Sequence, residues 1–182
     1  MGLNLIGLEE KDYREIYNLM ISSFHKEEIR TYENGLKQLN NSNYRILISK
    51  INKTSIAGFF AEWDLGSVIF IEHFAVKKDL RGCGVGSEML ETYLNNANKM
   101  VVLEVEDNET EIGQRRIDFY RRNGFFLSEF GYLQPILRGN SKKEIPLKIM
   151  SFPKELSEQG FLEFKEAVFS NIYKVTDLGI EK

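Results

Sequence analysis

The chain has 182 residues, a net charge of −3, a hydrophobic fraction of 42%, one cysteine and two histidines. One cysteine excludes internal disulfides, and so few thiols and imidazoles argue against a zinc site. The net charge is weakly negative, whereas proteins that bind duplex nucleic acid usually carry an excess of positive charge. No apolar run approaches the ~20 residues that a helix needs to cross a bilayer. We therefore expect one cytoplasmic domain over residues 1–182, with no nucleic-acid or membrane partner and no metal.

The first half of the chain predicts one strand, two helices and three further strands. The run at 68–76 is apolar on both faces apart from Glu72 and His73, as expected of a strand in the middle of a sheet. Asn52 to Thr54 form a polar link of hairpin length. The predicted elements are a strand at Leu3–Leu8, a helix capped by Asp12, a short helix at Thr31–Leu39, and strands at Tyr44–Ile51, Ser55–Leu65 and Val68–Val76.

The second half predicts alternating helices and strands, which gives a mixed α/β fold. The pair Asn123-Gly124 should end a helix with a left-handed cap. Apolar residues of the last helix share one stripe, which packs on the chain's own sheet or covers a second copy in a homodimer. The predicted elements are Ser87–Asn95, Met100–Glu106, Glu111–Arg122, Phe125–Gly131, a polar loop at Gln134–Ile145, Leu147–Phe152 and the helix Glu158–Tyr173.

Glycines alternate in Gly82-Cys83-Gly84-Val85-Gly86, between a strand and a helix, an arrangement that offers backbone N–H groups to a phosphate. A Walker A loop is excluded because Ser87-Glu88 follows the last glycine. A dinucleotide fingerprint is closer, with Glu104 at about the right distance to contact a ribose, but Ser87 replaces its final glycine or alanine. A nucleotide-binding oxidoreductase therefore stays a distant alternative.

The same loop also contains Arg81-x-x-Gly84-x-Gly86, which resembles the pyrophosphate-binding pattern of the GNAT acetyltransferase superfamily. A second landmark of that family is a late helix that ends in tyrosine and is followed by Gly-Phe, matched here by Tyr120 and Gly124-Phe125. The resemblance implies a GNAT acyl-CoA N-acyltransferase fold, with a mixed, mostly antiparallel sheet of six to seven strands flanked by helices.

The resemblance also implies acetyl-CoA as co-substrate. Backbone amides of the glycine loop would hold its pyrophosphate, and Arg81 would contact a phosphate or brace the loop. The end of the strand would pair with the pantetheine arm where it separates from its neighbour. The implied binding residues are Phe74, Ala75, Val76, Arg81, Gly82, Cys83, Gly84, Val85, Gly86 and Ser87.

Acetyl transfer to an amine needs a proton acceptor and a donor for the departing thiolate. The resemblance assigns the donor role to Tyr120. Glu72 and His73 are adjacent on a strand, so their side chains should point to opposite faces, and either is a candidate base. Glu104, on the next strand, could bind or deprotonate the amine. The alternative for each is a structural role in the core or at the surface.

We therefore expect an N-acetyltransferase that moves acetyl from acetyl-CoA to a primary amine by direct attack in a ternary complex. A non-catalytic acyl-CoA-binding or sensing domain of the same fold is the alternative. The sequence does not distinguish between a small-molecule amine and a peptide amine as the acceptor.

Overall fold

A seven-stranded open sheet forms the centre of the computed structural model, which describes residues 3–51, 54–106, 110–134 and 145–173. The strand order is β1-β2-β3-β4-β5-β7-β6, and every neighbouring pair is antiparallel except β4 with β5. The predicted mixed, mostly antiparallel sheet is confirmed. The strands are β1 (Leu5–Gly7), β2 (Tyr44–Ile51), β3 (Ser55–Asp64), β4 (Val68–Val76), β5 (Met100–Glu106), β6 (Phe126–Gln134) and β7 (Ile145–Phe152).

Five α-helices flank the sheet in the predicted order. A turn of π-helix at Phe169–Tyr173 continues the last of them. Within the described part of the chain, every helix is too short or too polar to cross a membrane. The helices are α1 (Tyr13–Ser23), α2 (Tyr32–Gln38), α3 (Val85–Asn96), α4 (Glu111–Arg122) and α5 (Glu158–Val168).

Two apolar clusters pack on the two faces of the sheet. Residues of α1 and α5 lie in one cluster, and residues of α3 and α4 lie in the other. The stripe on α5 is buried against its own sheet through Phe161, Phe164 and Val168. Burial of each such side chain contributes roughly 1.5–3 kcal/mol. Of the two alternatives for this stripe, the structure therefore supports packing on the chain's own sheet.

The parallel strands β4 and β5 pair only along their first halves. Their ladder runs from Val68↔Met100 to Ile71↔Leu103 and then ends, so the two strands separate from Glu72 and Glu104 onward. On its other side, β4 stays paired with β3 as far as Val76. The backbone that follows Ile71 is therefore free of a strand partner on the β5 side.

A β-bulge at Glu72 corrects one sequence prediction. The ladder with β3 pairs Ala61 with His73 and Glu62 with Ile71, so Glu72 is the extra residue. Such a bulge shifts the alternation of side chains by one residue. Glu72 and His73 therefore share the face that carries α1 rather than pointing to opposite faces, and Phe74 returns to the other cluster.

Element boundaries differ from the sequence predictions at a few ends. Asp12 precedes α1, but its carboxylate accepts from Lys50 at 3.1 Å and makes no cap hydrogen bond. The helix α3 begins two residues earlier than expected, at Val85, and β6 extends to Gln134. Residues 52–53 of the hairpin link and 135–144 of the polar loop lie outside the described residues.

Candidate active site

A cavity of about 600 Å³ opens where β4 and β5 separate. Its walls come from β4, β5, α4 and the end of α1. Seven of the residues predicted for the site line it, namely Glu72, Phe74, Ala75, Val76, Arg81, Glu104 and Tyr120. A smaller recess of about 50 Å³ shares Glu72 and Glu104 with this cavity and includes His73 in its wall.

The glycine loop follows β4 and leads into α3. Gly82 and Gly84 have φ angles of 80° and 83°, which L-residues rarely adopt, so these positions favour glycine. Gly84 is the N-cap of α3, and its carbonyl accepts from Glu88 N at 3.1 Å. The amides of Val85, Gly86 and Ser87 therefore lie in the first turn, where helical N–H groups lack intrahelical partners. Cys83 is an exposed free thiol on this loop.

Arg81 connects the loop to the cavity wall. Its Nε donates to the carbonyl of Val76 at 2.9 Å, and its Nη2 donates to Ser23 Oγ at 3.0 Å. These contacts tie the loop to the end of β4 and to α1. The loop residues after Arg81, from Gly82 to Ser87, do not line the cavity itself.

Glu72 forms a buried ion pair. Arg30 Nη1 donates to Glu72 Oε1 at 2.7 Å, and Trp63 Nε1 donates to Glu72 Oε2 at 3.1 Å. The Glu72 side chain is only 3% exposed. Burial raises the pKa of this carboxyl, but the charge of Arg30 and the hydrogen bonds from Arg30 and Trp63 outweigh burial, so its pKa lies below the usual value. A carboxylate held in this way is a poor proton acceptor.

His73 is buried beside Glu72. Its Nε2 lies 3.0 Å from the carbonyl oxygen of Glu28, which can only accept, so Nε2 carries the proton. Nδ1 lies 3.8 Å from Glu72 Oε2 and hydrogen-bonds no described residue. Burial lowers the pKa of His73, although Glu72 opposes this shift, and the imidazole is therefore neutral near pH 7.

Glu104 lies on β5 at the point of separation. Tyr132 donates to Glu104 Oε1, and the Tyr173 hydroxyl lies 2.9 Å from each carboxylate oxygen. Burial raises the pKa of Glu104 to about 7, assisted by the charges of Glu72 and Glu28 and opposed by the two hydroxyls. A carboxyl that titrates near neutral pH is suited to accept a proton.

Tyr120 faces the same cavity from the last turn of α4. Its ring packs edge-on against Phe119 and Phe125, with centroid distances of 5.2 and 5.4 Å. Burial raises the pKa of its hydroxyl to about 12, so it is protonated at neutral pH. No described residue hydrogen-bonds this hydroxyl, which leaves it able to donate to a ligand.

Sequence reasoning missed the partners of these side chains. Arg30, Tyr132 and Tyr173 are distant in sequence from the residues that they contact, so no local pattern predicts these contacts. Two arginines of α4, Arg115 and Arg116, line the cavity although their ion pairs are with Glu111 and Glu106. The described residues contain no cluster of three metal-binding side chains.

Comparison with known proteins agrees with this geometry. The family model described as "Acetyltransferase (GNAT) domain" matches residues 42–126. A protein of Bacteroides thetaiotaomicron, described as a candidate acetyltransferase of the GNAT family, superposes with a TM-score of 0.87 at 28% identity, covering 95% of this chain and 99% of that one. Residues 42–126 are therefore similar to the GNAT acetyltransferase domain, and the fold of the chain is that of a GNAT-family protein.

Two further acetyltransferases extend this comparison. The candidate acetyltransferase YjbC of Bacillus subtilis (strain 168) is 34% identical over 121 residues, which are 65% of this chain and 61% of YjbC, so the match spans less than two thirds of that relative. Spermidine N-acetyltransferase of Vibrio cholerae, solved with CoA and spermine, gives a TM-score of 0.60 at 17% identity over 83% of this chain and 95% of its own. At 17% identity, this comparison shows that the two proteins share a fold and says nothing about a shared substrate.

Proposed function

We propose that this GNAT domain, spanning residues 1–182, is an N-acetyltransferase that moves the acetyl group of acetyl-CoA to a primary amine in a ternary complex. The observation that carries this proposal is that Tyr120 and Glu104 line one cavity, at the point where β4 and β5 separate. One side chain is a protonated donor and the other titrates near neutral pH.

In this proposal, acetyl-CoA binds along the glycine loop and along the end of β4 that is not paired with β5. The first-turn amides of α3, from Val85 to Ser87, would hold the pyrophosphate, because helix N-termini favour anions. The positive φ angles of Gly82 and Gly84 support this role. Among the described residues, Phe74 to Val76 have no strand partner on the β5 side, although the Val76 carbonyl accepts from Arg81, and their free backbone groups would pair with the amides of the pantetheine arm. Arg81 would brace the loop through Val76 and Ser23.

Acetyl-CoA supplies a thioester whose C–S bond breaks as the amine nitrogen forms a C–N bond with the carbonyl carbon. Glu104 would take the proton that the amine loses, directly or through water. Tyr120 would donate its hydroxyl proton to the departing sulfur, and the proton held by Glu104 would then restore the tyrosine through solvent. The products are the acetylated amine and free CoA.

Glu72 and His73 have a different role in this proposal. Glu72 already pairs with Arg30 and Trp63, so it would shape the acceptor pocket rather than take the proton. His73 lines the recess that Glu72 and Glu104 also line, and its buried Nδ1 accepts no hydrogen bond from a described residue. It would therefore help to shape this end of the acceptor pocket.

The test is an assay of free CoA and acetylated product with acetyl-CoA and a panel of amines that includes polyamines, amino acids, aminoglycosides and peptides. Polyamines are included because the Vibrio cholerae fold neighbour is a spermidine N-acetyltransferase. We expect turnover with at least one amine, and we expect Tyr120→Phe to lower kcat by about 100-fold without changing CoA affinity. Tight CoA binding without turnover of any amine would instead indicate a sensor.

A further inference from the structure

The carboxylate of Glu104 is contacted by two tyrosines from outside the segment that the GNAT family model matches. The Tyr173 hydroxyl lies 2.9 Å from both Glu104 Oε1 and Oε2, and the Tyr132 hydroxyl donates to Oε1. The matched segment ends at residue 126, whereas Tyr132 lies on β6 and Tyr173 ends the π-helical turn after α5. Both donors therefore belong to the C-terminal part of the chain.

The C-terminal segment is packed firmly enough to hold Tyr173 in place. Phe169 and Ile172 are 7% and 5% exposed within the core cluster. The Phe169 ring packs edge-on against Tyr132 at 5.2 Å and against Tyr173 at 5.6 Å. One aromatic residue thus contacts both tyrosines that reach Glu104.

The other titratable groups around Glu104 have contacts of their own. Glu72 on β4 pairs with Arg30, and Arg116 on α4 pairs with Glu106 at 2.9 Å. Glu28 accepts from the backbone N of His25 at 2.9 Å, and His73 is held by the carbonyl of Glu28. Among the described residues, the two phenols are therefore the direct hydrogen-bond partners of the Glu104 carboxylate.

We propose that Tyr173 and Tyr132 are positioning residues that orient the Glu104 carboxylate toward the acceptor amine, so that the C-terminal segment completes the proton-accepting site. The role of Glu104 as proton acceptor in this inference rests on the proposed transferase function. Phenol donors also stabilise the ionised form of the carboxylate, since each donates a hydrogen bond to it. Loss of either hydroxyl should therefore make Glu104 harder to ionise.

The experiment is a pH titration of Tyr173→Phe and Tyr132→Phe in two readouts. The first is the carboxyl ¹³C resonance of Glu104, assigned by its loss in Glu104→Gln. The second is the acidic limb of kcat/KM measured with one amine throughout, so that the amine's own titration is common to all proteins. We expect each tyrosine variant to raise both midpoints by about one pH unit.

The matched control is Tyr93→Phe, which removes a phenol that donates to the buried carboxylate of Glu62 on the opposite face of the sheet. It should leave both midpoints of Glu104 unchanged. Unchanged midpoints in Tyr173→Phe and Tyr132→Phe, or failure of both variants to fold, would overturn the proposal and leave the tyrosines a structural role. If the wild type acetylates no amine, the proposed function fails, while the carboxyl titration still decides whether the tyrosines tune Glu104.

Discussion

Arg30 Nη1 lies 2.7 Å from Glu72 Oε1, and both side chains are largely buried, with exposures of 15% and 3%. The pair joins the segment between α1 and α2 to the bulge of β4. Because a buried carboxylate without its counter-charge is costly, Arg30 is required to keep Glu72 ionised inside the protein. This relationship explains how a charged carboxylate is accommodated in a strand that is apolar apart from Glu72 and His73.

Arg30→Ala should lower the free energy of unfolding by about 3 kcal/mol, since it leaves Glu72 buried and unpaired. Urea unfolding measured by circular dichroism would determine the change. Lys11→Ala is the control, because Lys11 and Glu9 pair at the surface with exposures of 71% and 67%, and no measurable change is expected. Equal stability of Arg30→Ala and the wild type would contradict the ion-pair interpretation.

Glu104→Gln should stabilise the protein at alkaline pH while removing activity. The folded state raises the pKa of Glu104 from 4.5 to about 7, so the folded protein binds this proton more tightly than the unfolded chain does. The contribution of Glu104 to stability therefore falls as pH rises from about 4.5 to 7, by at most ~3 kcal/mol. Relative to wild type, the variant should gain stability between pH 4 and pH 8.

Unfolding free energies of both proteins at pH 4 and pH 8 would test this difference, because other titrating groups are common to the two proteins. A difference between them that does not change with pH would mean that Glu104 is not perturbed.

Gly84→Ala should weaken CoA binding beyond its effect on stability. The φ angle of 83° disfavours any L-residue, at a cost of about 1 kcal/mol, although a Cβ there would meet nothing within 4 Å. Gly66 provides a matched control, with a φ angle of 85° and equally open space in the turn between β3 and β4. Both alanine variants should lose similar stability, but only Gly84→Ala should lose CoA affinity in calorimetric titration. An equal loss of affinity in Gly66→Ala would contradict the role of the loop.

The order of helices and strands was predictable from the sequence because each element carries a local signal. The runs Tyr44–Ile51, Val68–Val76 and Met100–Glu106 have their predicted bounds, and Gly124, with a φ angle of 87°, follows α4 as expected of a left-handed cap. The separation of β4 from β5 was also expected, and the end of their ladder at Ile71↔Leu103 confirms it. Hydrophobic periodicity and glycine positions predicted the element bounds and the cap, whereas the separation of β4 from β5 was implied by the resemblance to the GNAT superfamily.

The orientation of Glu72 and His73 was not predictable because a bulge depends on pairing with another strand. Strict alternation puts the two side chains on opposite faces, whereas the register shift opposite Glu62 brings them to the same face. The hydrogen-bond partners of Glu104 were equally hidden. Tyr173 is 69 positions away in sequence, and only the packing of the C-terminal segment brings its hydroxyl to the carboxylate.

A crystal structure with CoA bound would test the central claim most directly, through the position of the CoA sulfur. We predict the pyrophosphate against the amides of Val85 to Ser87, the pantetheine arm along Phe74 to Val76, and the sulfur within about 3.5 Å of the Tyr120 hydroxyl. The sulfur should also lie in the cavity that Glu104 lines. CoA bound elsewhere, or a sulfur out of reach of Tyr120 and Glu104, would contradict the proposed site.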